Sequence, residues 1–463
     1  MRRDAVIAHA DMDAFYASVE QLDDARLRHR AVAVGSTSRR GVVLAASYEA
    51  RRYGIRSAMP MAEALRRCPT LLRVAPRFER YVQASRQIMA VFDDFSPHVE
   101  PLSLDEAFID MTGAAELFGS PRKIAASIKS CVYDATSGLT VSVGVAATKY
   151  VAKVASDHDK PDGLTVVDPA DTREWLNPLP VERLWGAGPK TVKRMHRIGL
   201  FYIGDIQRAD TSWLMHELGS AGVHFQALAL GQDPRRVATR LATSVARRSV
   251  ARSMGCDRTL SENVSSYEVL SHQLRRAADH LGVRLRRQHI VAGGVKVKLK
   301  SRYFEVMTRQ AALSTPTQSS AQLFQLADQQ LRQLLCQINR PSNSDVAFLE
   351  SLEQHRAQHD SASSVYKRPT KRSPAAFRLI GLGVFDLAPA DCPRQLALFD
   401  IGVDGEIDSA CKAVQLEKTM DAVNNKFGAG KLVRARHVSN NRAVHSEAPD
   451  LDFLDTARDW PLD

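Results

Sequence analysis

The first 167 residues carry apolar blocks that alternate between strand length and helix length. The run Ala5 to Ala10 predicts a strand, and the helical spacing in AFYASVEQL predicts an amphipathic helix directly after it. Further apolar runs and periodic segments follow in turn as far as position 167. This order predicts an α/β unit. Residues 31–72, which are rich in Gly, Ala and Ser, form a small insert in it.

The pattern changes twice in the rest of the chain. Residues 168–240 read as short helices broken by pairs of glycines, which predicts a small helical domain. Residues 244–388 follow the order strand, helix, two strands, helix, strand, which predicts a split β-α-β fold. The polar stretch 339–374 interrupts this fold, and we interpret it as a flexible insertion. The predicted fold class is therefore multi-domain α/β and α+β. A tail at 389–463 follows, with one predicted helix, in LEKTMDAVNNKFG, and one predicted strand, in KLVRARHV.

Positive charge is concentrated in one part of the chain. Over 463 residues, 63 Lys and Arg against 52 Asp and Glu give a net charge of +11, and residues 233–310 alone contain 17 basic and 6 acidic residues. In VKVKLKSR, strand alternation places Val295, Val297 and Leu299 on one face. The basic residues on the other face, or just before the first strand, are Lys296, Lys298, Lys300, Arg302, Arg247, Arg248 and Arg252. Lysines that protect a sheet edge are the alternative, but they leave the local charge unexplained, so we expect the sheet to lie along nucleic-acid phosphates.

The six cysteines are scattered along the chain. None forms a CxxC pair or lies in a histidine cluster with the spacing of zinc ligands, so a reducing cytoplasm is the expected location. No run of about 18 apolar residues occurs, and we therefore expect no membrane span.

Three acidic residues lie in or next to apolar strand segments. Asp11 ends the first apolar run, and Asp105 and Glu106 are adjacent in SLDEAFID. A helix cap is the alternative for Asp11, and a polar turn is the alternative for the adjacent pair. Neighbouring carboxylates in an apolar environment need a compensating charge, for which a divalent metal is the natural choice. Three carboxylates from two strands can hold two Mg²⁺ ions about 4 Å apart, which is the arrangement that nucleotidyl transfer requires.

Four motifs in order carry a family resemblance. DMDAFYASVE, ASYEARRYGIRSAMP, SLDEAFIDMT and SVGVAATKYVAKVASDHDKPDG resemble the Y-family DNA polymerases, and most closely the DinB type. The resemblance covers residues 1–387 except for the insertion at 339–374. It implies a right-hand polymerase with a palm at 1–30 and 73–167, fingers at 31–72, a thumb with a helix-hairpin-helix at 168–240, and a little finger at 244–388.

The resemblance implies a template-directed, low-fidelity DNA polymerase that carries out translesion synthesis by two-metal nucleotidyl transfer. Its partners would be primer-template DNA and a dNTP, and the chain would be a monomer. Asp11, Asp105 and Glu106 would be the catalytic residues and would bind two Mg²⁺ ions together with the backbone carbonyl of Met12, with Mn²⁺ as the alternative metal. Two rival functions are a non-catalytic repair scaffold, which the intact carboxylate triad disfavours, and a nucleotide cyclase, which has no need of the basic sheet.

The resemblance also implies a binding site for the incoming nucleotide. Tyr16 would be a steric gate against the ribose 2′-hydroxyl, although packing with Phe15 in the core is the usual role of such an aromatic residue. Ala45 stands where relatives often have a threonine, so a contact to the triphosphate is open to question at that position. The full predicted nucleotide-binding set is Met12, Phe15, Tyr16, Tyr48, Arg51 and Lys160.

Two further segments are candidates for contact with DNA and with a protein. In LWGAGPKTVKRMHRIG, the glycines would let backbone N–H groups approach a phosphate, and the candidates are Gly186, Gly188 and Lys190; a glycine helix stop is the alternative. The segment QLALF resembles the peptide that docks bacterial polymerases into the sliding clamp, the β subunit; a fragment packed on the little finger is the alternative. Its predicted contact residues are Gln395, Leu396, Leu398 and Phe399, and the 64 residues after it have no predicted role.

Overall fold

The computed structural model describes residues 5–36, 38, 40–238, 252–339, 375–391, 404–428 and 432. These residues divide into two compact units, one up to residue 238 and the other from residue 252 onward. We refer to them as unit 1 and unit 2. Within the described ranges, no helix combines the length and the apolar character that crossing a bilayer demands.

Unit 1 is built around a five-stranded sheet with the order β5-β6-β1-β7-β8. Its central strand, β1, is antiparallel to both β6 and β7. The strands are β1 (Ile7–Met12), β5 (Val99–Pro101), β6 (Glu106–Asp110), β7 (Val141–Ala146) and β8 (Leu164–Val166). The sequence pattern ended the first strand at Ala10, whereas β1 continues to Met12, so Asp11 lies inside the strand rather than after it.

Alternation along β1 assigns its residues to two faces of the sheet. Ala8, Ala10 and Met12 join the apolar cluster under the helices of one face. Those helices are α1 (Phe15–Asp23), α4 (Phe78–Phe95) and α6 (Pro121–Thr136), with the short α5 (Ala115–Phe118) before α6. Ile7, on the other face, joins the cluster of α7 (Lys149–Ser156).

Gly144 of β7 allows α7 to lie directly on the sheet. It is paired with His9 of β1, and a Cβ atom at this position would lie 2.2 Å from the backbone nitrogen of Ser156. Any side chain here would push the end of α7 away from the sheet. The glycine therefore brings α7 within reach of His9.

Residues 31–74 form a small sheet with its own apolar core. The sheet has the order β3-β2-β4, from β2 (Val32–Gly35), β3 (Val43–Ala46) and β4 (Leu72–Val74). Two helices, α2 (Tyr48–Arg51) and α3 (Met61–Arg67), complete it. Ala33, Val43 and Met61 are buried in this core.

The rest of unit 1 is helical, as the glycine-broken pattern predicted. The helices are α8 (Thr172–Leu176), α9 (Pro189–Arg197), α10 (Ile203–Arg208), α11 (Thr211–Leu218) and α12 (Ser220–Ala229). Their apolar residues belong to the same cluster as α7, the helix that packs on the central sheet. Leu176 and Leu214, for example, share this cluster with Tyr150 of α7.

Unit 2 contains an antiparallel four-stranded sheet with the order β11-β10-β12-β9. The strands are β9 (Ser253–Val264), β10 (Ile290–Ser301), β11 (Val306–Thr317) and β12 (Phe377–Pro389). The helices α13 (Tyr267–Arg287) and α14 (Ser320–Asn339) share the apolar cluster of the sheet. The order of elements matches the predicted split β-α-β pattern, and the predicted fold class is confirmed.

Two predictions in this part of the chain need correction. Arg302 lies in the turn after β10, so it does not continue the alternating row of the strand. The tail helix, α15, spans Asp404–Phe427 and begins 12 residues before the predicted segment at Leu416. The predicted strand in KLVRARHV lies, except for Leu432, outside the described residues.

Candidate active site

The register of two neighbouring strands brings the predicted carboxylates together. Asp11 of β1 is paired with Glu106 of β6, and the backbone N–H of Met12 donates to the carbonyl of Asp105 over 2.9 Å. Ligand atoms of His9, Asp11 and Glu106 all lie within 4.8 Å of one another. The Asp105 carboxylate accepts from the Ser103 hydroxyl and is close enough for the charges of Asp11 and Glu106 to act on it. Residues almost 100 positions apart in sequence therefore form one cluster. We call Asp11, Asp105 and Glu106 the carboxylate cluster.

Two lysines contact the cluster. Lys160 Nζ lies 2.5 Å from Asp11 Oδ1, and Lys153 Nζ donates to Glu106 Oε2. His9 is fully buried behind them, with its Nε2 3.3 Å from Glu106 Oε2 and its Nδ1 2.7 Å from the Ser156 hydroxyl. Sequence reasoning found Lys160 but missed Lys153 and His9. The available signal for His9 was its position two residues before Asp11, on the same face of one strand.

Asp105 and Asp11 lie in surroundings that disfavour their charges. Burial raises the pKa of Asp105 to about 6, and the charges of Asp11 and Glu106 act in the same direction. Burial also raises the pKa of Asp11, although the ammonium group of Lys160 opposes this. A cation placed between these side chains would relieve the repulsion.

Glu106 has the opposite behaviour. Burial alone would raise its pKa, but its contact with His9 and the charge of Lys153 prevail and lower the pKa to about 2. Burial lowers the pKa of His9. The cluster thus contains one firmly ionised carboxylate beside two that lack full compensation. Carboxylate oxygens are the ligands that hard divalent cations such as Mg²⁺ prefer, so the donor set fits a metal site.

Asp13 is a buried residue of this region that sequence reasoning missed. It is only 2% exposed, and its carboxylate accepts four hydrogen bonds. The donors are the hydroxyl groups of Tyr48 (3.2 Å), Thr140 (2.9 Å) and Ser142 (2.8 Å) and the backbone N–H of Asp162 (2.8 Å). Asp13 therefore ties α2 and the loop that follows Lys160 to the central sheet. The signal was its place in the motif DMD, two residues after Asp11.

The predicted triphosphate residues adjoin this network. Tyr48 contacts Asp13, and the Arg51 guanidinium lies 4.7 Å from the centre of the Tyr48 ring. Arg51 also donates through Nε to the carbonyl of Ala46, at 3.1 Å. Ala45 lies in β3, paired with Val34, and has no hydroxyl to offer. Lys160 thus contacts the carboxylate cluster directly, Tyr48 contacts Asp13, and Arg51 lies beside Tyr48.

The two predicted aromatic residues differ in exposure. Phe15 is 3% exposed and packs in the core, which supports the packing role. Tyr16 is partly exposed and stacks on Tyr81, with ring centres 4.3 Å apart and an angle of 13° between the ring planes. Burial and the neighbouring charge of Asp105 raise the pKa of Tyr16 to about 12. Tyr16 therefore combines the packing role with a position beside the cluster.

The two candidate glycines of the helical segment have different structural roles. Gly186 has a φ of +97°, a conformation that favours glycine and supports the helix-stop interpretation. Gly188 directly precedes α9, and a Cβ atom there would meet nothing within 4 Å. Lys190 is exposed in the first turn of the same helix. The start of α9 is therefore open on the side of Gly188.

Unit 2 carries the predicted alternation on β10. Val295, Val297 and Leu299 are completely buried, whereas the lysines between them reach the other face. Lys298 Nζ is 2.5 Å from Asp257 Oδ2 of β9. Within the described residues, neither Lys296 nor Lys300 has an ion-pair partner. We call these three lysines the basic face.

Seven further residues were predicted to contact DNA or the sliding clamp, and only one of them lies within the described ranges. Arg252 is exposed just before β9. Six other predicted residues lie outside the described ranges: Arg247, Arg248, Gln395, Leu396, Leu398 and Phe399.

Comparison with known proteins identifies the family. The impB/mucB/samB family model matches residues 10–157, and the model of its C-terminal domain matches residues 251–398. DNA polymerase IV 2 of Mesorhizobium japonicum is 41% identical over 350 residues, which cover 75% of this chain and 81% of that protein. DNA polymerase IV of Caulobacter vibrioides is 35% identical over 431 residues, 93% of each chain.

Solved structures share the fold. A Y-family DNA polymerase chimera of Dbh and Dpo4 has a TM-score of 0.67 at 23% identity and covers 82% of this chain and 98% of its own. An insertion ternary complex of Dbh DNA polymerase has a TM-score of 0.51 at 22% identity, with the same coverage. The fold is therefore of the Y-family polymerase class. Within that class, the chain belongs to the impB/mucB/samB family, together with the proteins named DNA polymerase IV.

Proposed function

We propose that the chain is a template-directed, low-fidelity DNA polymerase that extends a primer by two-metal nucleotidyl transfer and thereby carries out translesion synthesis. The observation that carries this proposal is the pairing of Asp11 with Glu106 on adjacent strands, with Asp105 next to them. Membership of the family of DNA polymerase IV supports it. In this function, the central sheet is the palm, residues 31–72 are the fingers, 168–240 the thumb and 244–388 the little finger.

The carboxylate cluster and the backbone carbonyl of Met12 would hold two Mg²⁺ ions, with Mn²⁺ as the alternative. Metal ions held there would supply Lewis-acid chemistry, which would favour attack of the primer 3′-hydroxyl on the α-phosphate and departure of pyrophosphate. The chain itself keeps Glu106 ionised through His9 and Lys153, so one ligand is ready at neutral pH.

Tyr48, Arg51 and Lys160 would bind the triphosphate. Arginine suits phosphate oxygens because its planar fork makes two parallel hydrogen bonds, and lysine supplies a point charge. Tyr16, supported from behind by Tyr81, would exclude a ribose 2′-hydroxyl. Asp13 would be a positioning residue, because it ties Tyr48 and the loop after Lys160 to the central sheet.

Primer-template DNA would contact the basic face of β10 and the start of α9, at Gly186, Gly188 and Lys190. Lys296 and Lys300 provide charge that no described residue neutralises, which favours binding to phosphates. The sliding clamp would bind the segment 395–399, and the chain would act as a monomer. The location in the cytoplasm stays a prediction.

Primer extension with Mg²⁺ tests the function. The parent protein should extend a primer, and Asp105→Ala should lose at least about 10³-fold in rate, since metal binding contributes several kcal/mol to the transition state. Asp110→Asn is a matched control, because Asp110 lies at the opposite end of β6, paired with Ile7. It should extend like the parent.

Three results would contradict the proposal. DNA binding without extension by the parent would favour a repair scaffold. If the parent neither binds DNA nor extends a primer, a palm enzyme of another type, such as a nucleotide cyclase, would be favoured. Equal rates for the parent and Asp105→Ala would remove the carboxylate cluster from the mechanism.

A further inference from the structure

Among the described side chains of the tail helix α15, from 414 to 427, the contacts to the rest of unit 2 are mainly between charged groups. Among its side chains from 414 to 427, Glu417 is the one that is buried, with 3% exposure. Leu416 and Phe427 are exposed and Val414, Met420 and Val423 are half-buried, but the apolar cluster of unit 2 includes no described residue from this stretch. A helix that packs as part of a domain normally buries an apolar stripe. The described stretch 414–427 of α15 buries a carboxylate and has no fully buried apolar side chain.

The Glu417 carboxylate accepts hydrogen bonds from several donors that converge on it. Arg286, at the end of α13, donates through Nη1 to Glu417 Oε2 over 2.7 Å. The backbone N–H groups of Ser320 and Ala321 donate to the same carboxylate over 3.0 and 3.3 Å, and the Ser319 hydroxyl lies 3.4 Å away. These two N–H groups belong to the first turn of α14, where no intrahelical acceptor exists and the helix dipole favours an anion.

Arg286 makes this site depend on an anion. Its side chain is 5% exposed, and it also pairs with Asp421 of α15, at 2.6 Å from Nε to Oδ2. Its other described acceptors are the Gln318 carbonyl (3.0 Å) and the Ser320 hydroxyl (3.3 Å), which carry no charge. A guanidinium that stays buried without a carboxylate partner is strongly disfavoured. The site is therefore built around a carboxylate.

We propose that Arg286 and the first turn of α14 form a carboxylate-binding site of unit 2, and that α15 is its intramolecular ligand, which docks and undocks as a separate element. Buried ion pairs bring a large desolvation cost that offsets much of their attraction. They therefore determine where α15 docks but add little to the free energy of docking. Because side chains 414–427 add little apolar burial, the docked helix is held weakly enough to leave while the sheet and its two helices stay folded.

Hydrogen exchange of the full chain, followed by mass spectrometry, tests this proposal. Glu417→Gln keeps the shape of the side chain and removes its charge. Lys418→Gln is the matched control, because Lys418 is the next residue and is exposed. In Glu417→Gln, amides 414–427 should exchange at least about tenfold faster, while α13, the sheet and α14 beyond its first turn keep their protection. Lys418→Gln should resemble the parent.

Two results would overturn the proposal. Unchanged protection of 414–427 in Glu417→Gln would show that this carboxylate does not hold the helix. Loss of protection in α13 and the sheet together with α15 would show that the helix is an integral part of unit 2 rather than a ligand. Primer extension by Glu417→Gln should equal that of the parent, since Glu417 takes no part in the catalytic or binding residues proposed above.

Discussion

The carboxylate cluster and the basic face solve one structural problem in different ways. In each, charged side chains lie on a β-strand, or directly before one in the case of Asp105, and the opposite face of the strand is apolar. In the central sheet, the charges are largely enclosed and have counter-charges from the same chain, as in the contact between Lys160 and Asp11. On β10, the lysines reach the surface, and within the described residues only Lys298 of the three has an ion pair.

Because of this difference, the enclosed charges are suited to positioning a ligand, and the exposed charges are suited to attracting one. In the proposed function, the enclosed charges would fix the positions of metal and nucleotide, because burial strengthens each interaction and removes freedom. Exposed charges attract any phosphate chain and are screened by salt. Substitutions in the cluster should therefore change chemistry and selectivity, whereas substitutions on the basic face should change affinity alone.

The largest difference between substitutions in the two regions should be in selectivity for deoxyribose over ribose. Tyr16→Ala should raise incorporation of ribonucleotides relative to deoxynucleotides by roughly 10- to 100-fold, because overlap of a 2′-hydroxyl with the ring costs about 1–3 kcal/mol. Single-nucleotide insertion kinetics measure this ratio. Lys300→Gln is the control from the basic face and should leave the ratio unchanged. An unchanged ratio in Tyr16→Ala would end the steric-gate role.

The two adjacent carboxylates should have opposite effects on the stability of the protein in EDTA. Burial raises the pKa of Asp105 from 3.8 to about 6, so its ionisation destabilises the fold as pH rises from about 4 to 6. Asp105→Asn should therefore stabilise the protein by about 1–3 kcal/mol at pH 7 and by little at pH 4. Denaturant unfolding at both pH values measures this difference.

Glu106 has a lowered pKa of about 2, so it adds stability above its ordinary pKa of 4.5 that is lost as pH falls toward 2. Glu106→Gln should therefore destabilise the protein at pH 7. The same sign for both variants at pH 7 would contradict the assigned electrostatics.

The basic face should show the smallest effects, and they should differ between neighbouring lysines. Lys296→Gln and Lys300→Gln should each reduce the slope of log binding constant against log salt by about 1, the contribution of one phosphate contact. Lys298→Gln should reduce it less, because Asp257 already neutralises Lys298 in part. Duplex binding followed by fluorescence anisotropy over a salt series tests this order. A slope change for Lys298→Gln as large as that for Lys296→Gln would contradict it.

The sequence predicted much of the fold because strand and helix periods are local. The alternation of Val295 with Lys296 needs no knowledge of partners, and the buried face of β10 is as expected. The carboxylate cluster was predictable because Asp11, Asp105 and Glu106 lie in recognisable motifs.

The supporting contacts were not predictable, because their partners are far apart in the chain. Asp13 bonds to Ser142 across 129 positions, His9 to Ser156 across 147, and Arg286 to Glu417 across 131. No local pattern distinguishes such a residue from an ordinary polar one. The beginning of α15 was missed for a related reason, since the acidic residues that begin it are equally typical of a loop.

Anomalous diffraction from crystals of the full chain with Mn²⁺, primer-template DNA and a non-hydrolysable dNTP tests the central claim most directly. We predict two manganese peaks about 4 Å apart, bound by oxygens of Asp11, Asp105 and Glu106 beside the triphosphate. A triphosphate and primer end seated away from these side chains, with no manganese between them, would contradict it.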